Sequence, residues 1–280
     1  MIEPNNCLFL ETTVQIIRFS GSREEKKQID TVISKYSYLA SSTYVKMEFK
    51  RRLIGDLAYF YNMLSISDSI ADFFRRIGRL HSFQQRRING FFPSFANFLE
   101  NIENENIPKK EEEGILEKAR RYFKYICQIT WESFDKKLDC VVNDTDCINA
   151  KNGPILEDDK IYVKLSCLQK EKKCRIVEFF VNNRIHIENI LKRFSRIERL
   201  DAEQEKMKST TEKALLYPQN MTNHINCWRC GDLIIALECP QNAYLFTTNI
   251  NHFSPICNEL GKKILDNQDK SNSPPEESHA

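Results

Sequence analysis

Polar side chains follow two apolar segments that lie far apart in the chain. Residues 8–10 are apolar and stop at Glu11, and residues 244–246 are followed by a polar segment that ends at Asn249. The carboxyl ends of parallel strands meet at one edge of an open α/β sheet, which is where such proteins bind their ligands. We therefore expect Glu11 and Asn249 to lie close together at that edge.

Two further acids occur in helical patterns. Glu48 lies within residues 43–64, and Asp232 opens the apolar run that follows Gly231. Carboxylates brought together repel one another unless a cation neutralises them, and Mg²⁺ and Mn²⁺ prefer oxygen ligands of this kind. Such a site can activate water for phosphodiester hydrolysis. Asn249 is neutral and would orient a ligand or a water molecule.

Each of these residues also has a structural interpretation. Asp232 is a favoured residue for capping the helix that follows it, and Glu48 has the spacing for an exposed ion pair with Arg52. Asn249 is a common turn residue. Glu11 is harder to explain as an exposed surface residue, because it directly follows three apolar strand residues.

With these motifs the sequence resembles the PIN-domain nucleases at its two ends, roughly over residues 5–60 and 220–262. The matching motifs are Glu11-Thr-Thr, the segment from Tyr44 to Arg51 that contains Glu48, Gly-Asp232-Leu-Ile-Ile-Ala, and the segment from Thr247 to Phe253 that contains Asn249. The first acid departs from the family, which usually has Asp there. His252 occupies a position that varies in the family, and we expect it to be a surface residue or a neighbour of the site and not a ligand.

The resemblance implies an α/β fold with a PIN-like parallel sheet flanked by helices and a large, mostly helical insertion. It also implies a metal-dependent endoribonuclease in which Glu11, Glu48 and Asp232 bind Mg²⁺ or Mn²⁺ and Asn249 assists catalysis. Single-stranded RNA is the expected partner, with an inhibitory protein or a second copy of the chain as further possibilities. A methylene added at Glu11 displaces the carboxylate, and a misplacement of about 1 Å can cost a hundredfold in rate. A catalytically degenerate RNA-binding or protein-interaction module is therefore the alternative.

Basic residues near the predicted metal site offer contacts to a nucleic-acid backbone. We assign this role to Lys50, Arg51 and Arg52. A second candidate is the arginine- and phenylalanine-rich segment 73–95, because single-strand binding surfaces combine these residue types. The alternative, which we favour for that segment, is a phenylalanine core beneath solvated arginines.

The chain has ten cysteines. His224, Cys227 and Cys230 could supply zinc ligands, with Cys167 and Cys174 as remote partners, but a structural zinc site usually shows two closely spaced pairs. A zinc-stabilised interaction protein is thus a third class, and a redox role for Cys227 and Cys230 is a weaker one. We favour buried thiols in a reducing compartment.

Hydrophobic periodicity predicts alternating strands and helices at the start of the chain. The predicted elements are a strand at 7–11, a helix at 24–35, a strand at 38–42, a helix at 43–64 and helical segments at 65–100, broken near Gly78, Gly90 and Pro93. An exposed connection follows at 100–113. We predict that 1–64 and 217–265 form the PIN-like core and that 65–216 is the helical elaboration.

The resemblance to the family does not extend to the middle of the chain. The predictions there are a helix at 114–134, a polar loop at 139–160, a short strand at 161–165, and single helices at 175–200 and 202–216. Residues 266–280 are rich in Ser, Pro, Asn and Glu and are predicted to be a disordered tail.

Composition limits the remaining choices. The 280 residues include 29% charged residues with a net charge of only +2, so the whole molecule is not an obvious polyanion binder. We find neither a run of 18 apolar residues nor a secretory signal. The sequence therefore predicts a soluble, cytoplasmic protein without membrane association.

Overall fold

The computed structural model describes residues 6–103, 112–165 and 174–266. Two compact units divide these residues. The sheet unit comprises residues 6–48, 135–151 and 174–266. The helical unit comprises residues 49–103, 112–134 and 152–165.

The seven described strands form one sheet and one hairpin. They are β1 (Cys7–Leu10), β2 (Tyr38–Ser42), β3 (Cys140–Val142), β4 (Ile155–Glu157), β5 (Lys160–Tyr162), β6 (Tyr244–Thr247) and β7 (Lys263–Asp266). Five of them pair in parallel in the order β3-β2-β1-β6-β7, whereas β4 and β5 form an antiparallel hairpin in the helical unit. An α/β fold with a parallel sheet flanked by helices is thus confirmed.

The order in which the chain adds strands to the sheet reverses at β1. From β1 the chain builds β2 and β3 on one side, and β6 and β7 are added on the other side. In open α/β sheets such a reversal opens a crevice beyond the carboxyl ends of the strands. The β1 and β6 ends therefore define the expected ligand position, and Glu11 N donates to Phe246 O at 3.3 Å there.

The central strands are buried because helices cover both faces of a parallel sheet. Leu8, Phe9 and Leu10 are fully buried, as are Leu245 and Phe246. Such strands are continuous apolar runs without alternation, which is why β1 and β6 were recognisable in the sequence.

Nine helices of the described chain, counting α3, lie in the sheet unit. They are α1 (Thr12–Ser20), α2 (Arg23–Ile33), α3 (Thr43–Phe49), α9 (Ile176–Asn182), α10 (Arg184–Phe194), α11 (Ala202–Leu216), α12 (His224–Arg229), α13 (Gly231–Glu238) and α14 (Ile250–Leu260). Short 3₁₀ turns occupy Ile148–Ala150 and Pro218–Thr222.

The helical unit begins with a π-helical segment at Lys50–Ile54. Its helices are α4 (Gly55–Ser65), α5 (Ile70–Gly78), α6 (Ser82–Asn89), α7 (Phe92–Glu103) and α8 (Glu112–Lys136). Aromatic side chains fill its core, and Phe60, Phe73, Phe95 and Phe123 are each no more than 3% exposed.

Two predictions from the middle of the sequence are wrong. Residues 139–160 are not one loop, because they contain β3, a 3₁₀ turn and β4. The helix predicted at 175–200 ends at Asn182, and a second helix runs from Arg184 to Phe194. β7 was not predicted. Both missed sheet strands are end strands without a continuous buried apolar run: β3 is half-buried along its length, and β7 begins with Lys263 and ends with Asp266.

The observed units also divide the chain differently from the predicted domains. Residues 135–151 and 174–216 belong to the sheet unit, although the sequence placed them in the elaboration. The predicted tail, 266–280, lies outside the described residues except for Asp266, which ends β7. Most of the predicted connection at 100–113 lies outside them as well. No helix among the described residues is long and apolar enough to cross a membrane.

Candidate functional site at the carboxyl edge of the sheet

Glu11 lies at the end of β1 and caps helix α1. Its Oε2 accepts from Thr13 N at 2.7 Å and its Oε1 accepts from Val14 N at 3.2 Å. The side chain is only 2% exposed. Burial, together with the nearby charge of Asp232, raises the pKa of Glu11 to about 7, although the bond from Thr13 acts in the opposite direction. The carboxyl group is therefore close to half-protonated at neutral pH.

Glu48 is a buried residue of α3 that packs against the segments of both other acids. Its Oε2 accepts from Thr12 Oγ1 at 2.8 Å, and Thr12 is the residue after Glu11. On its other side lies Gly231, where an added Cβ would come within 2.9 Å of Glu48 Oε1. A larger residue at 231 would therefore force the Glu48 carboxylate to shift from its present position. Glu48 is 7% exposed and does not lie on a solvated face.

Asp232 is the second residue of α13 and does not cap it. The capping position belongs to Cys230, and the helix begins at Gly231. The Asp232 side chain is 32% exposed, and its Oδ2 lies 2.9 Å from Nδ1 of His252. Of the three predicted acids it is the one most open to solvent, so a ligand can reach it.

His252 bridges two carboxylates. Its Nδ1 faces Asp232, and its Nε2 lies 2.9 Å from Oδ2 of Asp201. The hydrogen bond to Asp232 raises the pKa of His252, with further contributions from Asp201. Both nitrogens donate only when the imidazole carries two protons. The bridge fixes the orientation of the Asp232 carboxylate, and the two neighbouring acids favour the protonated form of the imidazole.

Asp201 was not predicted as part of the site. It is the N-cap of α11, and its Oδ1 accepts from the backbone of Glu203 and Gln204. The Gln204 side chain also donates to Asn251 O at 3.1 Å. The start of α11 thus holds the start of α14 in place. The only sequence signal for Asp201 is the capping-box spacing Asp-x-x-Gln.

Asn249 lies at the junction of β6 and α14. Its backbone N–H donates to Thr247 Oγ1 at 2.9 Å, and its side chain makes no capping bond to the helix. The backbone of the preceding residue, Thr248, donates to the carboxylate of Glu11. Asn249 is therefore next to a direct contact of Glu11, as expected from two neighbouring strand ends.

The segments that carry the four predicted site residues thus lie near one another. Asp232 acts electrostatically on Glu11, Thr12 joins the Glu11 segment to Glu48, and Thr248 joins it to the Asn249 segment. Over the described ranges, no three His, Cys, Asp or Glu side chains are arranged as a ready-made metal site. The donor set of carboxylates and an amide has the oxygen chemistry of Mg²⁺ and Mn²⁺. A cation would also relieve the repulsion that raises the pKa of Glu11.

A second buried acid, Glu238, was not predicted. It ends α13, is 2% exposed and accepts from Thr145 Oγ1 at 2.8 Å and from Thr145 N at 3.2 Å. Burial raises its pKa to about 7, against the effect of hydrogen bonds from Ser42 and Thr145. In the sequence Glu238 follows the apolar residues of a helix, and its position there does not indicate that it is buried.

The predicted nucleic-acid contacts belong to the helical unit. Lys50 is fully buried, and its Nζ donates to Lys164 O at 2.8 Å. A buried, hydrogen-bonded ammonium group is not presented to a phosphate, so we do not assign this role to Lys50. Arg52 is exposed and Arg51 is half-buried, and for these two the role stays a prediction.

The phenylalanines of segment 73–95 are largely core residues. Phe73, Phe91 and Phe95 are buried, while Phe74 is 44% exposed. Among the arginines, Arg76 donates to Asp72 at 2.6 Å. These observations agree with the interpretation of a packed core beneath solvated arginines.

The nine cysteines in the part of the chain that the structure describes are free thiols. Cys227 and Cys230 are buried, and the Sγ of Cys230 lies 3.4 Å from Thr211 Oγ1. Burial raises the pKa of Cys230 to about 11, so that its thiol is protonated at neutral pH. Metal binding and redox chemistry both use thiolates, so these observations favour buried thiols. Cys167, the predicted remote ligand, lies outside the described residues.

Comparison of the chain with protein-family models, with curated proteins and with solved structures gave no match.

Proposed function

We propose that this protein is a metal-dependent endoribonuclease of the PIN type that hydrolyses phosphodiester bonds of single-stranded RNA. The observation that carries the proposal is the meeting of Glu11, Glu48 and Asp232 at the carboxyl edge of the sheet, where the strand order reverses. The Thr-x-Asn segment that ends at Asn249 joins them there.

The chemistry of this group favours a divalent cation over a purely structural role. The charge of a second acid, Asp232, raises the pKa of the buried Glu11. Burying a carboxyl group beside another carboxylate costs stability unless a cation is present. We therefore assign the cation to Glu11 and Asp232, with Glu48 as the third carboxylate. A bound Mg²⁺ or Mn²⁺ supplies stabilisation of the negative charge that develops on the phosphate.

The remaining residues have positioning roles. His252 is hydrogen-bonded to Oδ2 of Asp232, and Thr12 donates to Oε2 of Glu48. These bonds fix the orientation of both carboxylates. Ligating carboxylates are commonly held in this way by hydrogen-bond donors. Asn249 contributes an amide that can accept from a water molecule and donate to a phosphate oxygen. The exposed Arg52 remains a proposed contact for the RNA backbone.

A catalytically degenerate binding module is the second candidate, and one observation favours it. Both carboxylate oxygens of Glu11 accept backbone N–H groups of α1, so the residue already has a structural task as a helix cap. In that case the protein binds single-stranded RNA, or a protein partner, without turnover and with little dependence on metal.

The experiment that decides between the two candidates is cleavage of labelled single-stranded RNA with Mn²⁺, Mg²⁺ or EDTA. We expect cleavage that needs metal and that falls at least about a hundredfold in Asp232→Asn, because a cation contributes several kcal/mol to the transition state. The amide preserves a hydrogen bond from His252 while removing the charge. Glu238→Gln, the same type of change on the same helix, is the matched control and should cleave normally.

Equal cleavage by Asp232→Asn and the wild type would refute the assignment of the site. RNA binding without cleavage by either protein would favour the degenerate module.

A further inference from the structure

The helical unit contains a cavity of about 250 Å³ that has no part in the proposed carboxylate site. One wall is a stripe of α8 that includes Lys124, Gln128 and Trp131, and the other is the β4–β5 hairpin with Leu156 and Ile161. Residues spaced by three and four positions share one face of a helix. The cavity is therefore formed by a single helix face and the hairpin that packs on it.

The indole of Trp131 is held in place on this wall. A Cβ added to Gly153 would come within 2.8 Å of Trp131 Nε1, so the hairpin backbone packs directly against the indole edge. Lys50 Nζ lies 5.8 Å from the ring centroid, and Lys50 is not a lining residue of the cavity. Trp131 is thus a fixed, half-buried aromatic surface that borders an open space.

The lining combines an apolar interior with a polar rim. Leu156 and Ile161 accompany the indole, whereas Gln128 Nε2 donates to Glu132 Oε1 at 2.9 Å at the rim. Lys124 adds a positive charge. A complementary ligand has a flat apolar face, an edge that donates and accepts hydrogen bonds, and a negative charge.

The size of the cavity limits the ligand to one ring system. Pockets for drug-sized ligands have volumes of roughly 300–1,000 Å³, and this cavity is slightly smaller. It cannot enclose two stacked bases, and it is larger than a few water molecules need.

We propose that this cavity binds one nucleobase, stacked on Trp131, with its hydrogen-bonding edge at Gln128 and Glu132 and its phosphate toward Lys124. Stacking on an aromatic side chain contributes to the binding of every base. A carboxylate acceptor such as Glu132 adds a preference for bases that carry an exocyclic amino group, because uracil has none to donate. The base can come from a free mononucleotide or from an unstacked position of single-stranded RNA.

Tryptophan fluorescence provides a direct test, because the chain has only two tryptophans. In the full-length Trp228→Phe variant, Trp131 is the sole reporter. We would titrate this variant in EDTA with AMP, UMP, ribose 5-phosphate and a short oligoadenylate. EDTA separates the result from the proposed cleavage activity. We expect saturable quenching by a probe that carries adenine, weaker binding of UMP and no saturable change with ribose 5-phosphate.

Variants of the rim then test the location. Lys124→Ala and Gln128→Ala should each weaken binding about tenfold, since hydrogen bonds to charged or buried partners are of that size. Tyr125→Ala removes an exposed aromatic from the same helix outside the cavity and is the matched control. Thermal unfolding of each variant checks that it is folded.

Each outcome bears on the proposal. Saturation by AMP identifies a free nucleotide as a source, and saturation by the oligoadenylate alone identifies a base of an RNA strand. The absence of a saturable change with any adenine-bearing probe would overturn the proposal. So would equal binding by ribose 5-phosphate, or unchanged affinity in both rim variants.

Discussion

Two buried acids of the sheet unit, Glu11 and Glu238, are alike in burial but differ in their neighbours. Each is 2% exposed, and burial raises the pKa of each to about 7. Oε1 of Glu238 accepts hydrogen bonds from the hydroxyl group and the backbone of Thr145. Glu11 is satisfied by the start of α1, but it also faces Asp232, whose charge contributes to its raised pKa.

The comparison shows that burial alone does not mark a functional carboxylate. Desolvation is the largest cause of both pKa shifts, and a second acid raises each pKa further: Asp232 for Glu11 and, as the smallest cause, Asp144 for Glu238. What distinguishes Glu11 is the set of other oxygen donors around it at the reversal of the sheet. The two residues are therefore natural controls for one another.

The largest expected effect is on stability as a function of pH. The pKa values of Glu11 and Glu238 are raised from 4.5 to about 7. The native state thus binds more protons than the unfolded state between these values, and stability falls as pH rises through that window. Across that window each group lowers the free energy of unfolding by an amount on the order of 3 kcal/mol. Urea unfolding in EDTA at pH 5 and pH 8 should therefore show a smaller loss in Glu238→Gln and in Glu11→Gln than in the wild type.

A wild type whose free energy of unfolding is the same at the two pH values would contradict this account. So would a Glu238→Gln variant that loses as much stability as the wild type does.

A smaller effect is expected from the bridge between Asp232 and Asp201. Removing a hydrogen-bond partner of a metal-ligating residue typically costs about tenfold to a hundredfold in activity or metal affinity. We therefore expect His252→Ala to reduce metal-dependent RNA cleavage by that factor. His252→Asn should restore part of it, because the amide nitrogen lies near the position of Nδ1.

Asp201→Asn is the matched control for the bridge, since Asn is also a good N-cap for α11. We expect it to reduce cleavage less than His252→Ala does. If Asp201→Asn were the more damaging change, the role of His252 would lie in packing α11 and not in orienting Asp232.

The sequence allowed the central part of this site to be predicted. The β1 and β6 strands are buried on both faces, so their apolar runs are continuous and their ends are easily recognised. Glu11 and Asn249 follow those ends, and the parallel pairing of β1 with β6 brings them to one edge. The end strands β3 and β7 gave no comparable signal, because each pairs on one side only and neither is a continuous buried apolar run.

The neighbours of the predicted residues depend on tertiary packing and could not be predicted. Asp201 has the pattern of an ordinary helix cap, and Gly231 that of a helix start, yet one binds His252 and the other admits the carboxylate of Glu48. Lys50 occurs in a basic stretch that suggests solvent exposure, but its ammonium group is buried against Lys164 O. Each of these contacts joins segments that lie far apart in the chain.

The central claim, that Glu11 and Asp232 hold a divalent cation, is tested most directly by thermal unfolding with and without Mn²⁺. A ligand at about 100 times its dissociation constant stabilises the native state by about 2.7 kcal/mol, which corresponds to a rise in Tm of about 5 °C or more. We predict such a rise for the wild type and for Glu238→Gln, and none for Glu11→Gln. An equal rise in Glu11→Gln, or no rise in the wild type, would contradict the claim.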